Sequence, residues 1–105
     1  MSGDVLVKWT LPVERENNRP LPVEEIAGVD VSFRVVGAPT WTPIPPRIAP
    51  TAPQEVNVLD MDPGDWEFRC IVVDTKGNES SPEVRPANVP FSNPKGVQTM
   101  TVTVV

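Results

Sequence analysis

Histidine is missing from the sequence altogether, and cysteine occurs once, as Cys70. The first absence removes the commonest general base, the usual proton shuttle and the most frequent metal ligand, so most hydrolase constellations are excluded. The second excludes an internal disulfide, which sets the chain apart from stapled secreted folds and fits cytosolic synthesis. There is no glycine-rich phosphate loop, no Cys-x-x-Cys pair and no basic stripe interleaved with aromatics. Basic residues are scarce, 9 against 14 acidic ones, for a net charge of -5. The resulting field repels phosphate backbones and anionic membrane surfaces, so neither nucleic acid nor membrane is expected as a partner. No apolar run approaches the ~20 residues that span a bilayer, and the Met1-Ser2-Gly3-Asp4 start has neither a basic region nor an apolar stretch, so no signal peptide is expected.

What is present is proline, 14 of 105 residues. Spread along the chain, it argues against long helices and makes an all-β domain the default. A single domain over residues 1–105 is expected from the length. Period-2 alternation, the signature of a strand with one buried face, runs through four segments. The inward sets are Val5, Val7, Trp9 and Leu11; Val29, Val31, Phe33 and Val35; Trp66, Phe68, Cys70 and Val72; and Met100, Val102 and Val104. Shorter strands are expected at residues 41–44 and 55–59. The intervals Asn17 to Pro22, Pro43 to Pro53, Asp62-Pro63-Gly64, Lys76-Gly77-Asn78 and Pro86 to Gly96 read as turns. One helical turn is expected around Val23 to Ile26.

The residues that carry chemistry mostly have structural explanations. Cys70 lies on an inward face between Phe68 and Val72 and is expected in the core rather than as a nucleophile. Asp60, Asp62 and Asp65 lack the spacing of a calcium loop and suit turn chemistry, and no cofactor or metal is expected. Glu24-Glu25 and Glu14-Arg15-Glu16 lie on mixed-charge loops, as solvated surface carboxylates do. Trp9 is expected in the core. Trp41 either packs over a sheet or serves as an interface anchor, since aromatics are enriched in both settings. Ile71 and Val73 face outward with Val36, and predict an apolar patch unless residues 43–53 cover it.

In order along the chain, these segments resemble a fibronectin type III domain, an immunoglobulin-like β-sandwich of two antiparallel sheets with about seven strands. Val5-Leu6-Val7-Lys8-Trp9-Thr10-Leu11-Pro12 looks like the family's second strand. The run from Arg19 through Ile26 to Val31 is similar to the loop and third strand of bacterial and phage versions. Residues 59–70 with Val72 to Pro82 look like its corner, sixth strand and following loop. Two departures stand out. Trp66 occupies the corner position after Pro63-Gly64 where the family places a tyrosine, and so few residues precede the second strand that the first strand is expected to be missing or replaced. Residues 83–85 are expected to begin the last strand, with residues 97–105 resuming it or pairing elsewhere at an edge.

The resemblance implies a non-catalytic interaction or structural module, with Pro63, Gly64 and Trp66 as the structural corner. The favoured role is a small virion protein of a tailed phage, a capsid decoration or tail accessory, located in the virion or the host cytoplasm, with a homo-oligomer among its open forms. A phage-encoded regulatory binder of a host protein, docking through loops 12–25 and 74–82, is the second reading. An accessory module of a secreted multidomain enzyme is the third. Candidate interaction residues are Trp41, Arg19, Glu24, Glu25, Lys76, Asn78, Ile71 and Val73.

Overall fold

A computed structural model describes residues 3–90 and 100–104. Among these residues six strands follow one another: β1 (Gly3–Lys8), β2 (Ile26–Val35), β3 (Thr42–Ile48), β4 (Glu55–Met61), β5 (Gly64–Asp74) and β6 (Glu83–Val89). The expected helical turn is a short 3-10 segment at Val23–Glu25. All strand pairings are antiparallel, forming a two-stranded sheet β1-β4 and a four-stranded sheet β3-β2-β5-β6.

The alternation read from the sequence decides which side chains meet between the sheets. In β2, Val29 and Val31 are buried, Val29 completely, and Phe33 faces Phe68 of β5 across the ladder. The two rings are 6.1 Å apart, and Trp66 stands 5.7 Å from Phe33. Such cross-strand pairs are what stabilise a sheet face. Met61, Phe68 and Val89 form the centre of the core, with Val5 and Val7 of β1, Val58 of β4 and Ile44 of β3 packed around them.

Proline misleads at two places. The segments from Pro43 and from Pro86 were expected to be turns, yet Pro43, Pro45 and Pro46 lie within β3 and Pro86 lies within β6. Both are edge strands, where one side of the backbone has no ladder to feed and a missing N–H costs little. Conversely, β1 stops at Lys8, and Trp9 is half-buried at its end rather than central, its indole Nε1 donating to Gln54 Oε1 at 2.7 Å. Residues 100–104 belong to no strand and are exposed, contrary to the expectation of a strand over residues 97–105. Residues 97–99 and 105 lie outside the described residues.

Gly28 is buried where β2 is crossed closely by β3. A Cβ there would lie 2.6 Å from the carbonyl oxygen of Ile48 and 2.6 Å from Cγ of Arg47. The carbonyl is backbone and yields only if β3 shifts. Gly28→Ala should therefore lower stability by roughly 1–3 kcal/mol, the range for forcing an extra group into a packed site. Urea unfolding measures this, and an unchanged midpoint would show that β3 is not held against β2 at this point.

Candidate functional site

The outer face of the four-stranded sheet carries side chains from three strands. Antiparallel register places Arg34 of β2 opposite Glu67 of β5, and Ser32 opposite Arg69. Arg34 Nε bonds Glu67 Oε1 at 3.0 Å and its Nη1 donates to the carbonyl of Ala38. Arg69 Nε donates to Ser32 Oγ at 3.2 Å. Trp41, immediately before β3, reaches onto this face, with the Arg34 guanidinium 4.2 Å and that of Arg69 4.7 Å from its ring centre. Two cations on one indole hold the ring in a single place, each contact contributing about 0.5–1 kcal/mol at such exposure.

Beside Trp41 lies an open hollow of about 470 Å³, lined by Arg69, Ile71, Arg47, Asp30 and Glu79. Arg47 is committed to Asp30 through two bonds of 2.8 and 3.0 Å, which raises its pKa. Among the described residues Arg69 has no carboxylate within ion-pair distance, and it lines the hollow. The apolar patch expected here is not formed. Ile71 is half-buried in the hollow, Val73 is 4% exposed beside the turn that follows β5, and Val36 lies past the end of β2.

The other candidate residues gather at one end of the sandwich around a carboxylate that sequence reasoning passed over. Asp74, the last residue of β5, accepts the backbone N–H groups of Asn78 and Lys76 at Oδ1, and Asn78 Nδ2 and Arg15 Nη1 at Oδ2, all at 3.0 Å or less. Asn78, together with Arg15 and the Lys76 amide, holds the Asp74 carboxyl well below the usual carboxylate range. Arg15 also bonds Glu25 Oε1 at 3.0 Å, so loops 12–25 and 74–82 form one surface. Gly77, at φ 87°, supplies the left-handed residue that closes the turn under Asp74. Asn78 and Glu25 therefore serve the turn, whereas Arg19, Glu24 and the Lys76 side chain are exposed. The Asp-Thr-Lys-Gly-Asn run carries an Asx-turn signal that could have found Asp74.

At the corner, Trp66 Nε1 donates to the carbonyl of Asp62 at 2.9 Å. The indole N–H thus ties the corner to the backbone four residues upstream. Cys70 is half-buried, and desolvation, with a smaller contribution from Glu83, raises its thiol pKa. Such a thiol is a poor nucleophile at neutral pH. Among the described residues no three acidic or sulfur ligands converge on a metal position, and no helix is long and apolar enough to cross a membrane. The chain matches no family model, no curated protein and no solved structure.

Proposed function

We propose that the chain is a non-catalytic interaction module, a fibronectin type III-like sandwich that docks on a larger protein assembly through the outer face of its four-stranded sheet. The observation that carries this reading is Trp41, fixed between Arg34 and Arg69 at the rim of a hollow where Arg69 has no carboxylate partner among the described residues. Tryptophan and arginine are the residue types that dominate interface energetics, and a ring already held in place loses little entropy on binding. The partner surface best suited to it presents a carboxylate to Arg69 next to an apolar group for the indole. The strand order supports the type III likeness: β1 and β4 stand as that family's second and fifth strands, and β2, β5 and β6 as its third, sixth and seventh. The loop composition of residues 19–31 favours a tailed-phage setting, as a capsid decoration or tail accessory protein.

Co-sedimentation with purified particles tests this. Trp41→Ala should weaken binding by about 2 kcal/mol or more, roughly thirtyfold, and Arg69→Glu should act similarly by reversing the charge and removing one of the two cations over Trp41. A chain that stays off purified particles would overturn the reading. The Arg15 link between loops 12–25 and 74–82 favours one alternative, docking on a host protein through that end. Capture of one stoichiometric host partner that is lost in Lys76→Glu but kept in Trp41→Ala would select it.

A further inference from the structure

Four strand edges bound the two sheets, and they are not equally open to another strand. β3 and β6 flank the larger sheet and both contain proline, Pro43, Pro45 and Pro46 in one and Pro86 in the other. Proline on an edge withholds a donor and discourages pairing with a further chain. β1 and β4 bound the smaller sheet and contain none. The β1 side is also where half-buried apolar residues, Val7, Cys70 and Val72, line an opening. A hollow of about 490 Å³ opens between β1 and β6, with Val7 at its rim and Val29, Phe68, Cys70 and Val72 within it.

The C-terminal residues supply what that side lacks. Met100, Val102 and Val104 are 78%, 81% and 95% exposed and alternate with Thr101 and Thr103. The segment is uncharged, so nothing in it repels Asp4 or Lys8 of β1. Its five residues in extended form reach about 17 Å, against about 20 Å for β1. We infer that this segment of one copy adds as a strand to the β1 edge of a second copy, with Met100, Val102 and Val104 over the hollow and the threonines turned to solvent. Backbone hydrogen bonds supply affinity and the alternate side chains set register, as in other strand additions. Each copy both gives and receives a segment, so association closes as a reciprocal pair or continues head to tail. The contact is separate from Trp41, which lies on the outer face of the other sheet.

The test compares the full chain with Val102→Pro. Val102 is 81% exposed and belongs to no strand in the single chain, and an unchanged thermal midpoint at low concentration confirms the fold. By light scattering the wild type should reach the mass of two or more chains as concentration rises, and Val102→Pro should remain a monomer. Amide exchange at residues 101–104 should slow by at least about tenfold in the associated form. Maleimide labelling of Cys70 should slow with it and recover in Val102→Pro. A wild type that is monomeric at every concentration overturns the inference, whether or not residues 101–104 are protected. So does an oligomer whose mass and Cys70 labelling are unaffected by Val102→Pro.

Discussion

Trp66→Ala is expected to lower the unfolding free energy by about 3 kcal/mol, whereas Trp66→Tyr should stay within about 1 kcal/mol of the wild type. Three contributions add at this residue. The indole N–H bond to the Asp62 carbonyl, at 2.9 Å, is worth about 1 kcal/mol net, the modest figure suiting a carbonyl that water can also reach. The tilted contact with Phe33 contributes roughly 0.5–1.5 kcal/mol beyond area. The rest is apolar surface packed against Met61, Phe68 and Val89. Tyrosine keeps the ring near Phe33 and brings a hydroxyl that can donate to the same carbonyl. Phenylalanine keeps only the ring, so Trp66→Phe should fall about 1 kcal/mol below the tyrosine variant. Urea unfolding of the three variants separates the terms. If tyrosine cost as much as alanine, the bond to Asp62 would not be what fixes this corner.

The same corner shows what the sequence disclosed. Pro63-Gly64 before an alternating run announced the turn and the strand, because turn chemistry and period-2 patterning are local properties. The cores of β2 and β5 were legible for that reason. β3 and β6 were legible only at their starts, residues 41–44 and 83–85, because whether a proline interrupts a strand depends on edge or central position, which is tertiary. The burial of Val73 depends on the turn that bridges back to Glu79. Trp41 was recognisable as a candidate, but its two arginines come from different strands and meet it only through the β2-β5 register. Lys76-Gly77-Asn78 announced the turn after β5, whereas the ion pair of Asp74 with Arg15 joins residues 59 positions apart and left no local trace.

Asp74 underlies the second large effect, a dependence of stability on pH that should be reduced in Asp74→Asn. Four donors fix the Asp74 carboxylate, the Asn78 side chain foremost, and depress its pKa in the folded protein. A group whose folded pKa lies below its unfolded value binds more protons when unfolded. Its stabilisation is fully present above the unfolded pKa, near 4 by roughly the ordinary aspartate value, and is lost as pH falls from there through the folded pKa. At neutral pH Asp74→Asn should be clearly less stable than the wild type, because the Arg15 pair is gone and an amide oxygen is a weaker acceptor for the Lys76 and Asn78 amides. On acidification the wild type should lose stability faster, and the gap between the two should narrow below about pH 4. Glu16, whose pKa is also depressed by hydrogen bonding to the Ser81 side chain and amide, titrates in both proteins and cancels from the comparison. Thermal midpoints of the two chains between neutral and strongly acid pH measure the gap. A gap that stays constant with pH would mean that Asp74 closes its turn through shape and hydrogen bonding alone, with its charge contributing nothing to the link between loops 12–25 and 74–82.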